Sequence, residues 1–317
     1  HPRRAYPFFS TLREPGPASP ALAILAHKLR LRRGLCLGRR RCALSLATAA
    51  AGPRSIIPGV DTSQRQINRA AITVMAAFLL SNLAGLARQI LIADAFGTSR
   101  VLDAFNTAQR IPDLLFNLVA GGALASAFVP AFTGRLTRED RAGAWRLASS
   151  VMTLAALALA LVSSVSAIFA PAIIGLIGAG LPPAEQALAA GLLRVLLLAP
   201  TIFGVSGLLM GILNAHQHFL LPALAPTFYW LGMIVGLLVW APAQGVFGLA
   251  WGAVLGAALH LAVQLPGLRG LPEARLRPAL GLGDPAVREV IRLMGPRLLG
   301  VAAVHLNFLV NTALATY

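Results

Sequence analysis

The chain has 317 residues, 57% of them hydrophobic and 12% charged, about half the charge that covers the surface of a soluble domain. Long apolar runs with so little charge make lipid the solvent and exclude a water-soluble globular domain. The formal charge of +16 does not indicate nucleic acid, because 12 of the 27 Lys and Arg fall in residues 1–65, beside only Glu14 and Asp61. The others sit mostly in short segments between apolar runs, where orientation signals belong. Lys28 is the only lysine, a coding bias towards arginine and not a binding code.

Residues 1–65 are rich in Pro and Arg without a sustained apolar period, and are expected to form a disordered basic leader. Arg39 to Ala51 has the order of a signal peptide (basic, apolar, small), but its apolar part is short and starts far into the chain. Cys36 and Cys42 have no matching Cys or His pair, so neither a zinc site nor a disulfide framework is expected.

From there the apolar runs predict seven membrane helices, roughly 70–93, 104–133, 146–176, 186–213, 219–241, 246–266 and 290–316. The expected fold is all-α, a polytopic transmembrane bundle over 66–317. Arg65 and Arg69 precede the first helix. Arg135, Arg138, Arg141 and Arg146 follow the second, and Arg269, Arg275, Arg277, Arg288 and Arg292 follow the sixth. The alternate loops are nearly bare of positive charge, which predicts a cytoplasmic N-terminus.

Polar residues inside these helices fall in stripes. On the second helix Asp103, Asn106, Arg110, Asp113, Asn117 and Gly121 advance in steps of three and four, which keeps them on one face. The first carries Ser81, Asn82, Gly85, Arg88 and Gln89, and the seventh Arg297, Gly300, Asn307 and Asn311. The fourth has Gly204, Gly207 and Gly211 below Arg194. Charged groups in hydrocarbon cost a few kcal/mol each, so the stripes are expected to line a cavity. Arginines there imply an anionic ligand, gripped by a bidentate guanidinium fork. Structural readings stay open beside this one: Arg88 snorkelling to the interface, Arg110 and Asp113 as an ion pair, Arg194 on a backbone carbonyl, and the glycines as packing sites. Pro112 and Pro200 predict bent or broken helices. His260 and His305 look isolated, and no nucleophile is paired with a base at motif spacing. Neither an enzyme nor a bound metal or cofactor is expected.

From Asn68 onward the chain carries an ordered series of short motifs. They run Gly85-Leu86-Ala87-Arg88, Phe96-Gly97, Asp103-Ala104-Phe105 and Ile111-Pro112-Asp113-Leu114-Leu115, then Gly122-Ala123 and Ala127-Phe128-Val129-Pro130. Gly211-Ile212-Leu213-Asn214-Ala215, Pro222 to Thr227, Gln264-Leu265-Pro266, Met294-Gly295-Pro296 and Asn311-Thr312 complete it. In this order the series resembles the MurJ (MviN) family of lipid II flippases, within the multidrug/oligosaccharidyl-lipid/polysaccharide exporter superfamily. The resemblance implies a two-lobed, V-shaped transporter of about fourteen helices, of which this chain supplies the first lobe and the seventh helix. It implies a multi-pass protein of the bacterial inner membrane that carries the lipid-linked pyrophosphate sugar lipid II outward by alternating access, with membrane lipids as its surroundings. Arg88 matches a cavity arginine of that family and Asp103 an acidic position. Asn82 and Phe116 stand where the family has further cavity arginines, and Gln89 where an acid is frequent.

The substrate-binding residues expected on this reading are Arg88, Arg110, Arg297, Asn82 and Asn117, with Arg110, Arg194 and Arg297 as candidates to make up the missing charge. Ser81, Gln89, Asp103, Asn106, Asp113, Arg194, Asn307 and Asn311 are expected to line the cavity or serve structurally. The competing readings are an exporter of another lipid-linked sugar, a cation-coupled antiporter, and a non-transporting membrane scaffold.

Overall fold

The computed structural model describes residues 60–119, 123–271, 274–296 and 300. The basic leader up to residue 59, Gly121, Arg297, His305, Asn307, Asn311 and most of the expected seventh span therefore lie outside the described residues. The chain divides into two compact units, His1–Asp61 and Thr62–Tyr317, and the helical bundle is the second.

The helices are α1 (Val60–Phe96), α2 (Arg100–Val119), α3 (Ala123–Thr137), α4 (Arg141–Ile168), α5 (Ala170–Ile177), α6 (Pro183–Leu196), α7 (Leu198–Ala215) and α8 (Leu220–Val235). A π-helical turn over Gly236–Trp240 leads into α9 (Ala241–Gln244), α10 (Val246–Ala262) and a 3₁₀ turn, Leu265–Leu268. A last helix, α11, covers 285–296. There is no strand among the described residues. Among the described residues five stretches are long and apolar enough to cross a membrane: Ala71–Phe96, Arg141–Ile168, Pro183–Ala215, Leu220–Gln244 and Val246–Leu268. The chain is an all-helical, multi-pass membrane protein.

Proline sets the joints. The stretch 146–176 is two helices that meet at Phe169, where Pro171 opens α5 without an N–H to give. The stretch 186–213 is likewise two helices, α6 and α7, meeting at Leu197 just before Pro200. The stretch 104–133 contains α2 and α3, and α2 is the most amphipathic of these helices because its polar stripe runs its whole length.

Two apolar cores hold the bundle. One gathers Phe105, Leu115, Ile174, Leu192, Met233 and Leu249 from α2, α5, α6, α8 and α10. The other packs Phe128, Phe132, Trp145, Leu209 and Leu213 of α3, α4 and α7 against Leu271, Val287 and Val290. A small third cluster, Ala199, Phe203 and Ala257, lies between them along α7 and α10. Outside, α1 shows Ile72, Met75, Leu79, Leu83 and Leu86, and α4 shows Leu157, Leu161 and Ile168. Lipid tails match these side chains, so association in the membrane rests on close packing more than on apolar burial.

The closest packing is α8 on α10. A Cβ on Gly252 would stand 2.8 Å from the Gly236 Cα, and one on Gly232 would collide with the Gly256 backbone. Gly232 and Gly236 on one helix face Gly252 and Gly256 on the other, each pair four residues apart, so backbone meets backbone. The glycines expected to matter were those of the fourth span, where a Cβ on Gly211 would stand a tight 3.1 Å from the Val129 side chain. The stronger seam is one helix pair later.

Candidate functional site

Within its apolar stretch α1 has a single cation, Arg88. A guanidinium at that depth is costly in hydrocarbon, so it turns to the protein. It lies over the Trp230 ring of α8, 4.7 Å from the ring centre. Gly85, one turn earlier, makes room for that ring, since a Cβ there would stand 3.3 Å from the indole nitrogen. One Arg88 Nη donates to the Gln89 Oε1 at 2.7 Å and the other to the Met233 sulfur at 3.6 Å. Its buried Nε has no hydrogen-bond partner. The guanidinium is thus oriented by a π face, an amide and a thioether, with a donor to spare.

Arg88 borders a cavity of about 420 Å³ at the level of the third cluster. Its polar lining is Gln109, Asp113 and Asn117 of α2, Tyr229 and Trp230 of α8, and His260 of α10. Phe116 and Phe203 form an apolar wall, their rings edge to face at 4.8 Å. Three prolines, Pro112, Pro200 and Pro226, also reach the cavity. Pro112 and Pro226 lie inside their helices and lack the N–H that would close a turn, whereas Pro200 lies in the first turn of α7, where no N–H is needed. A smaller cavity of about 180 Å³ adjoins it, sharing Arg88, Gln109 and Asp113 and adding Gln89 and Asn106.

At the cavity wall three buried polar side chains satisfy one another. The Ser206 hydroxyl lies 2.7 Å from the His260 Nδ1, and the Gln264 amide donates to the Ser206 oxygen at 2.7 Å and to the His260 carbonyl at 2.9 Å. Ser206 and Gln264 are fully buried. His260 was expected to stand isolated; it is instead the member of this trio that faces the cavity.

Of the expected site residues, Arg88 and Asp113 line both cavities, Asn117 the larger, and Gln89 and Asn106 the smaller. Asn117 spends one amide hydrogen on the Asp113 carbonyl at 2.8 Å. Asn82 and Asp103 are exposed, Ser81 is buried, and none of the three borders either cavity. Arg110 is half-buried and also outside both linings. Arg194 donates its Nε to the Ala167 carbonyl at 3.2 Å, across α4 and α6. Sequence reasoning missed Gln109, Tyr229, Trp230 and His260. Gln109 continues the α2 stripe three residues after Asn106, a signal that was available. Phe116, which stands where the family resemblance expects an arginine, borders the larger cavity with an aromatic ring.

The family model described as Lipid II flippase MurJ matches residues 92–317. The lipid II flippase MurJ of Burkholderia cenocepacia is 35% identical over 255 residues, covering 78% of this chain and 49% of its own. The probable lipid II flippase MurJ of Synechocystis is 30% identical, covering 80% of this chain and 50% of its own. The chain thus spans about half the length of the curated relatives it matches. Among solved structures, a lipid II flippase MurJ in an inward closed conformation superposes with a TM-score of 0.64 at 23% identity, over 77% of this chain and 50% of that one. A MATE transporter follows with a TM-score of 0.61 at 19% identity, over 74% of this chain and 53% of that one. Motif series, helical fold and sequence identity agree, and the chain belongs to the MurJ family of lipid II flippases.

Proposed function

We propose that this chain forms the Arg88-bearing lobe of a transporter that moves lipid II, a lipid-linked pyrophosphate sugar, from the cytoplasmic to the periplasmic leaflet of the bacterial inner membrane. The observation that carries this reading is Arg88 itself: a cation inside a membrane span, bordering two adjoining cavities, with its Nε unused. A pyrophosphate accepts the bidentate fork that Gln89 and Met233 only partly occupy. Asn117, Asn106 and Gln89 are proposed to meet the polar head group, and the carbonyls left free by Pro112 and Pro226 to take its hydroxyl donors. Asp113 opposite Arg88 keeps the empty cavity close to neutral, which lets an anion enter and leave.

The same reading puts the N-terminus in the cytoplasm. The arginine-rich segments after α3 and after α10 are joined by Arg135 and Asp284, so both belong to one side of the membrane, and arginine-rich loops favour the cytoplasmic side. Alternating access by rocking of two lobes is the motion proposed, with this lobe moving as one body.

The test is a chimera in which residues 68–317 replace the matching half of the Burkholderia cenocepacia relative, expressed in cells depleted of their own lipid II flippase. Rescue by the chimera and its loss on Arg88→Ala, at equal membrane abundance, is the expected result. A well-inserted chimera that rescues equally well with and without the Arg88→Ala substitution would remove Arg88 from substrate binding. One that fails with Arg88 intact would point to a different cargo.

A further inference from the structure

A second, larger cavity of about 710 Å³ lies away from Arg88, where the segment after α10 folds back on the start of α4. Its lining includes Arg146 and Ser149 of α4, Trp145 beneath them, and Arg275 and Arg277 from the returning segment. Three arginines meet there, and no carboxylate is among the lining residues.

Their convergence is built into the backbone. Residues 274–280 carry no helix. The Arg277 N–H donates to the Ser149 hydroxyl at 3.1 Å and the Ala279 N–H to the Thr153 hydroxyl at 3.2 Å. Four residues of α-helix advance about 6 Å, and two of extended chain about 6.6 Å. The two bonds therefore match in step, and the segment is laid along α4 as extended chain. Residues two apart in extended chain point the same way, which delivers Arg275 and Arg277 together beside Arg146. Past them Gly281, at φ 54°, presses on Ser150, where a Cβ would collide with the serine side chain. Asp284 then fixes the segment from the other end. Its two oxygens accept from one Nη of Arg135 at 2.8 and 3.0 Å, while Arg135 also donates to the Gly143 carbonyl at 2.6 Å. Asp284 also feels the charge of Arg146, but Arg135 already engages it.

The depth of the cavity identifies its occupant. The stretch Arg141–Ile168 has 28 residues, about 42 Å of helix against a hydrocarbon core of about 30 Å. About 12 Å of it therefore lies outside the hydrocarbon, and the charges of Arg141 and Arg146 put that excess at its N-terminal end, in the head-group layer. We infer that Arg146, Arg275 and Arg277 form a binding site for the phosphate of an anionic phospholipid head group, with Trp145 and the extended backbone as its floor. The site is separate from the Arg88 cavity and does not depend on what that cavity carries. Occupied, it ties the segment between α10 and α11 to the membrane surface and steadies the arginine-rich end of the lobe.

The experiment uses the full chain in detergent micelles titrated with phosphatidylglycerol or phosphatidylcholine, bound lipid being counted by native mass spectrometry. The Arg275→Gln/Arg277→Gln variant is compared with Arg138→Gln/Arg269→Gln, which removes the same charge from equally exposed positions at the same end that do not line the cavity. The expected result is phosphatidylglycerol retention that falls by about tenfold or more in the first variant and less than about twofold in the second, since charge-assisted guanidinium–phosphate contacts are lost only in the first. Equal losses in the two variants would reduce the site to diffuse surface charge and overturn the inference. So would equal retention of phosphatidylcholine, or complete displacement of the lipid by millimolar inorganic phosphate, which would make a soluble anion the occupant. Unchanged elution and helical content in the first variant separate loss of binding from loss of fold.

Discussion

Arg88 and His260 border the same cavity, and they reach it by different routes. Arg88 is legible in the sequence because a lone cation in an apolar helix stands out, and its cost in lipid forces it inward. His260, Tyr229 and Trp230 carry no such mark. In α8 and α10 an aromatic or imidazole ring looks like core, and whether it meets the cavity depends on helix rotation that only tertiary packing sets. The Ser206–His260–Gln264 trio had one local clue, since His260 and Gln264 are four apart on one helix face, but Ser206 comes from α7. Its members depend on one oxygen. Ser206→Ala leaves the His260 Nδ1 only a long 3.5 Å contact with the Gln264 amide and takes the closest partner from that amide, whose own Oε1 is already unpartnered. An unsatisfied buried group costs about 1–3 kcal/mol. Ser206→Ala is therefore expected to lower the thermal midpoint in detergent by several degrees, whereas Ser206→Thr keeps the hydroxyl and loses less. An unchanged midpoint in both variants would mean that water replaces the hydroxyl.

At the scale of elements, two contacts hold pieces of the lobe that sequence periodicity alone does not bring together. The first is the α8–α10 glycine seam. Gly232, Gly236, Gly252 and Gly256 were visible as repeated four-residue spacings, but Gly211, in a similarly spaced series on α7, is approached less closely. Spacing marks a helix that permits close approach and does not name its partner. Gly252→Leu places a side chain where the Gly236 backbone lies 2.8 Å from the first added carbon, and the helices must part. Overpacking of this kind costs about 1–3 kcal/mol or more, so the variant is expected to yield little monodisperse protein on size exclusion. Gly175→Leu, where a Cβ meets nothing within 4 Å, is expected to behave as wild type.

The second contact is Arg135 with Asp284, 149 residues apart. Burial raises the Asp284 carboxyl, but the Ala286 N–H, the Arg135 fork and the nearby charge of Arg146 outweigh it and hold the group below its ordinary value. A carboxylate so held stabilises the fold above the usual carboxylate range, and the gain is lost as pH falls through its lowered value. Both partners are partly exposed, so the contribution is on the order of 1 kcal/mol. Asp284→Asn is expected to melt below wild type at neutral pH, with the gap closing as pH falls below the usual carboxylate range. A gap that stays constant with pH would assign the loss to helix capping alone.

For the molecule as a whole, hydropathy was enough to read an all-helical membrane bundle, because length and apolar content decide a span before any contact forms. The joints at Phe169 and Leu197 were less legible: Pro171 and Pro200 signal a break without saying how far before them the helix ends. Function at this scale turns on what closes the cavity. The lobe offers one strongly placed cation, Arg88, and one carboxylate, Asp113, where gripping a pyrophosphate calls for more than a single fork. The matched region makes up about half of the solved and curated relatives, and alternating access needs a second wall that moves against the first. The 317-residue chain alone in lipid vesicles is therefore expected to expose no more fluorescent lipid II to an external quencher than protein-free vesicles do. The Burkholderia cenocepacia relative, prepared the same way, is the positive control. Binding is expected to survive in weakened form, with lipid II retained by the chain and reduced several-fold by Arg88→Ala, since removing one charge-assisted contact costs about 1.5–3 kcal/mol. Flipping by the chain alone would show that one lobe, or two copies of it, encloses a complete path.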